Sequence, residues 1–289
     1  MTSRSDDRRK LFVLIGTCIS FGLQYLLLRN PDFRRAYRFK AYRTDRHQQF
    51  MADLCIPDEE LAEAEVVAFH PPGWADWGNE EAYRSLLRSI PKHVQRISYP
   101  YPVFPALWPF HCYDTRNECA TNEPTPELIP PQYPYGDAWV LSKIRKGIPA
   151  GKILEEYMNL DIPSVTDVDG LLRKSIEIQK DKERDTKIKV LDYVMDNFRK
   201  EKTFITMNHV GNYTIFHMAN QIFDMLGIKK LDEKILRQLG ELISFEIPIH
   251  PSVIRHFDLQ HVNRDTRYAI DLFKRQTFEE YMEDYIHFR

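Results

Sequence analysis

The hydrophobic pattern changes period several times in the first hundred positions. Leu11–Ile15 is a short apolar block rich in strand formers. After Gly16-Thr17 the apolar residues recur at Ile19, Leu23, Leu26 and Leu27, a helical spacing that Pro31 closes. "RAYRFKAYR" (35–43) alternates aromatic or Ala with basic residues, as a half-exposed strand does. "DRHQQFMADL" (45–54) and "PDEELAEA" (57–64) read as helices, the second with Pro and acids at its start. "EVVAFHPPG" (65–73) is a buried strand, "NEEAYRSLLRSI" (79–90) an amphipathic helix and "VQRISYPYP" (94–102) a strand ending at prolines. Strands separated by helices imply parallel pairing, so this part predicts a doubly wound, flavodoxin- or SGNH-like α/β unit of about four strands. Ligands bind outside the carboxyl ends of such strands. Those ends are Gly16-Thr17-Cys18, His70-Pro71 and Tyr99-Pro100.

Later segments are mostly helical. Residues 103–137 are rich in Pro and aromatics and predict an ordered, irregular segment. From Ala138 onward helical patterns dominate, interrupted by one strand near 203–208 and including an apolar helix over 212–227 that Gly227 stops. The polar run Lys180–Lys189 reads as a solvated helix surface. The expected organisation is a flexible tail (1–10) followed by a single domain (11–289). Within that domain an α/β part (11–102) precedes a mainly helical part (103–289).

The stretch Leu11–Leu28 holds no charge over 18 residues and follows Arg8, Arg9 and Lys10. That length is near the lower limit for a spanning helix. Against a span, the run contains Gly16, Thr17, Cys18, Ser20, Gly22 and Gln24, no signal-peptide cleavage site follows, and its period switches midway. A strand, a glycine turn and a helix explain the switch, so no integral membrane span is expected. The rival is a membrane-anchored, non-catalytic protein with Asn212-Tyr213-Thr214 as a glycosylation acceptor.

Composition narrows the class. The 289 residues carry a formal charge of −2, with 43% apolar and 28% charged residues. Such a chain has no global attraction for nucleic acid or anionic lipid. The four cysteines, Cys18, Cys55, Cys112 and Cys119, form no C-x-x-C pair, so no metal site is expected and the thiols read as free, in a reducing cytoplasm. No P-loop, G-x-G-x-x-G, G-x-S-x-G or H-E-x-x-H occurs.

Four places could carry chemistry. Gly16-Thr17-Cys18 sits where a strand becomes a helix, and a helix N-terminus binds phosphate or an oxyanion and activates a thiol. The bland alternative is a packed, inert Cys18. "TFITMNHVGNY" puts Asn208 and His209 at a strand end and Gly211 and Asn212 at a helix start. His209 is then a general base, or Asn208 and His209 form a turn that caps the helix at Asn212. His70 ends another strand and is a second candidate base or a structural residue. Asp258 and His261 have the spacing of an orienting acid and its base, which keeps open an esterase-like hydrolase with Cys18 as nucleophile. Basic clusters (Arg38, Lys40, Arg43 and Arg46; Lys143, Arg145 and Lys146; Arg264 and Arg267) could hold a phosphorylated ligand or be solvated faces.

The chain also resembles a known family. "FVLIGTCISFGLQYLL", "ISYPYPVFPALWPFHCYD", "YPYGDAWVLSKIRKGIPAGKILEEY" and "FITMNHVGNYTIFHMANQIFDMLGI" resemble, in the same order, segments of the WcbI-type polysaccharide biosynthesis proteins. The resemblance implies a small α/β unit embedded in a predominantly helical protein. It further implies a coenzyme A-binding acetyltransferase that takes acetyl-CoA and a sugar or polysaccharide-precursor acceptor in capsule or other surface polysaccharide assembly. Gly16, Thr17 and Cys18 match the family's first turn, and Asn208 and His209 its later polar pair, with Asn212 at the helix start behind them. Thr17, Ile19 and Val210 stand where the family usually has Asn, Gln and Pro.

Overall fold

The uncharged stretch is not one helix. In the computed structural model, which describes residues 8–44, 56–73, 80–114, 116, 133, 135–239, 245–271 and 273–288, it divides into strand β1 (Lys10–Gly16) and helix α1 (Cys18–Arg29). Thr17 between them has extended backbone, φ −90° and ψ −154°. Among the described residues no helix is long and apolar enough to cross a membrane. Lys10 already belongs to β1, and residues 1–7 of the expected tail lie outside the described residues.

Pro31 does more than end α1. Asn30 is the C-cap of α1 and the N-cap of a second helix, α2 (Pro31–Ala36), and its side chain accepts from the N–H groups of Asp32 and Phe33. Pro at the first helical position is pre-organised for that turn. The strand expected over 35–43 therefore begins two residues later, as β2 (Tyr37–Arg43). Helix α3 (Asp58–Glu63), strand β3 (Ala64–Phe69), helix α4 (Glu80–Ser89) and strand β4 (Gln95–Ser98) follow as the pattern predicts. The helix expected over 45–54 lies outside the described residues.

The four strands form one parallel sheet in the order β2-β1-β3-β4. β1 is central, paired from Lys10↔Tyr37 on one side and up to Ile15↔Phe69 on the other. Phe12, Val13, Leu14 and Ile15 are fully buried, which is why β1 is an unbroken apolar run and not an alternating one. Leu11, Val13 and Ile15 pack with Val67, Tyr83 and Leu87 on one face. Phe12 meets Phe33, Tyr37 and Phe39 on the other.

The chain divides into two compact units. The first comprises Met1–Pro102, Gln179–Met195 and Val210–Leu242; the second comprises Val103–Ile178, Asp196–His209 and Ile243–Arg289. The remaining elements are short strands β5 (His111–Cys112) and β6 (Gly136–Asp137), then helices α5 (Ala138–Arg145), α6 (Ala150–Met158), α7 (Ile162–Val165), α8 (Val168–Glu183) and α9 (Leu191–Asn197). Strands β7 (Phe204–Thr206) and β8 (His209–Val210) precede α10 (Asn212–Met225), α11 (Pro251–Phe257), the pair β9 (Tyr268–Ala269) and β10 (Arg275–Gln276), and α12 (Phe278–His287). The protein is thus a mostly helical α/β protein with a small parallel sheet. Hydrophobic period marks only β7 after residue 103; two-residue strands are too short to leave a period.

In the first unit α10 lies against α1. A Cβ on Gly22 would stand 2.4 Å from Ile215 Cδ1, so glycine sets the close approach. Gly227, with φ +65°, follows the C-cap Leu226 and ends α10. In the second unit β7 is fully buried. It is pinned by Ile247 N–H to Ile205 O (2.9 Å), while Phe104 N–H donates to Met207 O (2.7 Å) just beyond it.

Candidate functional site

The first candidate lies at the carboxyl edge of the sheet. Gly16 leaves β1 beneath Tyr99, which follows β4. The Tyr99 hydroxyl donates to Ile15 O at 2.8 Å, and a Cβ on Gly16 would come within 2.0 Å of that hydroxyl. Only glycine lets the two strand ends close. Thr17 is the N-cap of α1 yet makes no side-chain cap hydrogen bond; its Oγ1 is buried without a partner. Ser20 instead satisfies Thr17 O, through its N–H (2.8 Å) and hydroxyl (2.6 Å). Cys18, half-buried and in no disulfide, is the first residue of α1. The corner thus joins a helix start, an uncommitted hydroxyl and a thiol, a set suited to an anion or a carbonyl oxygen.

His70 closes the same edge from β3. It is fully buried, with its ring 5.9 Å from Tyr99 and 5.8 Å from Tyr83. Burial pushes its pKa down to about 4, helped by the Lys182 charge and opposed by the Pro71 carbonyl. Lys182 is also buried. Its ammonium donates to Tyr101 O at 2.9 Å, and desolvation lowers its pKa to about 8. The run Lys180–Lys189 is therefore not wholly a solvated surface. Gln179, Lys182 and Glu183 turn inward, and Glu183 accepts the N–H groups of Val190 and Leu191 at 2.9 Å each. Their i, i+3, i+4 spacing was the available signal.

The second candidate is the turn after β7, within the second unit. The Tyr135 hydroxyl donates to Asn208 Oδ1 (2.9 Å) and lies 3.0 Å from His209 Nδ1. Thr206 Oγ1 makes the same two contacts, at 3.0 and 2.8 Å. With both hydroxyl protons on Asn208, His209 Nδ1–H donates to the hydroxyl oxygens and Nε2 keeps its lone pair. Burial pushes the His209 pKa down to about 4, so the ring is neutral at pH 7. The ring is thus held in one orientation and neutral, as a general base must be, while its lowered pKa makes it a weaker proton acceptor than an ordinary histidine. Asn208 and His209 do not cap α10: its N-cap is Gly211, without a side-chain bond, and Asn212 is its first residue.

The sequence profile of the family described as "Polysaccharide biosynthesis enzyme WcbI" matches residues 11–231, well over half of the chain. The chain belongs to the WcbI family. A solved structure described as WcbI, a novel polysaccharide biosynthesis enzyme, native and without a disulfide bond between coenzyme A and one of its cysteines, has a similar fold. The TM-score is 0.73 at 18% identity, over 97% of this chain and 90% of that one. No curated protein matches the chain. The WcbI match spans both candidate turns. Ile19 and Val210, beside the two candidate turns, are buried core positions.

Other residues considered for this WcbI-family chain have different duties. Arg38 pairs with Glu63, Lys40 with Glu60, Lys143 with Glu156, Arg264 with Glu279 and Arg267 with Glu280, so these cations are engaged at ion pairs. Arg43 lies over the Phe21 ring at 3.8 Å; Arg46 is outside the described residues. Asp258 is the exposed left-handed C-cap of α11, φ +52°. His261 Nε2 bonds Phe198 O at 3.1 Å, while its Nδ1 is buried without a partner. No hydrogen bond joins Asp258 to His261, so the orienting pair that the hydrolase alternative needs is not formed. The sequence places Tyr99 at a strand end but not its bond to Ile15 O, and it does not mark Tyr135 or Thr206, because these roles depend on contacts distant in sequence or on hydroxyl direction.

Proposed function

We propose that this chain is a CoA-dependent acyltransferase that moves an acetyl group from acetyl-CoA to a sugar hydroxyl during surface or capsular polysaccharide assembly in the cytoplasm. The thioester C–S bond breaks and an ester C–O bond forms. His209 Nε2 takes the hydroxyl proton, which leaves on the CoA thiol. The Thr17-Cys18 helix start anchors CoA through its phosphate or carbonyl oxygens, and Asn208 serves as a positioning donor. His70, neutral but enclosed, ranks second as base. The strand order β2-β1-β3-β4 supports a doubly wound, flavodoxin-like sheet, in which ligands bind at the crevice beside β1.

One observation carries the reading. A cysteine begins a helix whose N-cap hydroxyl is uncommitted, in a chain whose fold is shared with a protein described together with CoA and a cysteine. Calorimetric titration with CoA is the test. Binding is expected, and no detectable heat at millimolar CoA removes the reading. A CoA mixed disulfide that forms on the native chain and is lost in Cys18→Ser would locate the thiol end.

A further inference from the structure

The acyltransferase reading leaves one cavity of the second unit unused. Its volume is about 40 Å³, room for about three waters at roughly 10–15 Å³ each. Its floor is aromatic, with Trp108, Tyr157, Phe278, Tyr281 and Tyr285 buried around it. Tyr157 stacks on Phe278 at 6.0 Å and meets His250 edge-on at 5.0 Å. His250 is a floor residue without free donors: Ser252 N–H donates to its Nδ1 at 3.1 Å, so Nε2–H donates to Tyr157 O at 2.8 Å.

The rim is polar and half-buried. His111 and Asp137 face each other across the β5–β6 pair. His111 Nδ1 is closed off from solvent and has no partner, and burial keeps the ring below the ordinary histidine range. The Asp137 carboxylate takes Val140 N–H at 2.9 Å, capping α5, the Tyr157 hydroxyl and the Trp139 N–H; two oxygens with about four acceptor sites keep room for one more donor. Tyr135 is shared. Its ring lines the cavity, 5.4 Å from the His111 ring, while its hydroxyl holds His209. An apolar floor with a few convergent polar groups is the usual make-up of a small-molecule site.

We infer that this cavity is the acceptor subsite, seating one hydroxymethyl arm or ring edge of a sugar with its C–H groups against the aromatic floor and its hydroxyl on His111 Nδ1 or Asp137, beside the Tyr135 that holds His209. The inference rests on the acyltransferase reading. The size sets what enters. One hydroxymethyl arm or ring edge fits, and the rest of the sugar stays outside, as suits a polymer or a carrier-linked precursor.

Saturation-transfer NMR on the full chain without CoA tests this, with the methyl glycosides of glucose, mannose and galactose as probes. At least one should receive saturation, with its Kd raised about tenfold by His111→Ala, the loss of one hydrogen bond. His111→Asn should recover part of that loss. Asp137→Asn, which keeps the helix cap, should weaken binding as well, and serves if His111→Ala fails to fold. Saturation transfer to none of the probes overturns the inference, as does binding indifferent to all three substitutions. Loss of CoA affinity in place of glycoside affinity does the same. CoA binding with no glycoside binding removes the subsite and leaves the acyltransferase reading. Glycoside binding that depends on His111, with no CoA binding, does the reverse.

Discussion

Gly16-Thr17-Cys18 leaves β1 and opens α1; Asn208-His209-Val210-Gly211 leaves β7 and leads to α10. In sequence both are a strand, a small or polar turn and a helix. In the first the Thr17 hydroxyl stays uncommitted: its Oγ1 has no partner and the helix start has no side-chain cap. In the second the polar groups are committed, since two hydroxyls fix the Asn208 oxygen and the His209 ring. Under the proposed acyltransferase reading, the first turn receives a ligand and the second holds a proton acceptor in a set orientation. Similar local patterns end in different surroundings because the groups that arrive from elsewhere in the chain differ.

Breaking the committed turn should have the largest effect. His209→Ala is expected to lower kcat by about a hundred- to ten-thousandfold, the usual contribution of a positioned base, with CoA affinity by calorimetry unchanged. The native acid limb of kcat/KM should fall near pH 4, where burial sets the ring, and not near the ordinary 6.5. Tyr135→Phe removes one of two hydroxyls on that ring and should cost only about tenfold. If it costs as much as His209→Ala, Tyr135 is itself in the chemistry.

At the uncommitted turn the first effect is on stability. Gly16→Ala drives a Cβ into the Tyr99 hydroxyl and should cost about 1–3 kcal/mol, as overpacking does. Adding Tyr99→Phe should restore part of this by removing the clashing oxygen, so a double-mutant cycle in urea reads the contact directly. Thr17→Val should leave stability within about 0.5 kcal/mol, since no cap bond is lost, while lowering CoA affinity several-fold by calorimetry. A large stability loss would mean that Thr17 is structural.

The smallest effect concerns pH. His70 and His209 have folded pKa values near 4 against an ordinary 6.5, so the fold favours their neutral forms. The stability this gives is whole above 6.5 and is lost as pH falls from 6.5 to 4. Asp137 acts oppositely. Burial raises it from 3.8 to about 6, so its contribution falls as pH rises through that window. Urea unfolding of His209→Gln between pH 7 and 4 should show a flatter acid decline than the native chain, whereas Asp137→Asn should show a steeper one.

Wherever a whole element buries one face, the pattern of residues was enough to reveal it. The break at Gly16-Thr17 was visible because a strand and a helix use different periods, and β3, α4 and α10 were visible for the same reason. Boundaries moved where one residue serves two elements, as Asn30 does in ending α1 and capping α2. Lys182 was misjudged because a charged residue is assigned to solvent unless its neighbours are known.

The sequence by itself determined that an uncharged amino-terminal run forms a strand and then a helix, and that a cysteine and an Asn-His pair stand at strand ends. Those facts follow from backbone preference and period, which are local. Only the tertiary structure decided which of these polar groups are occupied. Tyr99 reaches Gly16 from 83 residues away and Tyr135 reaches His209 from 74, and the direction of a hydroxyl proton depends on every acceptor within its reach. Contacts at such separations are fixed by packing, and no local pattern encodes them.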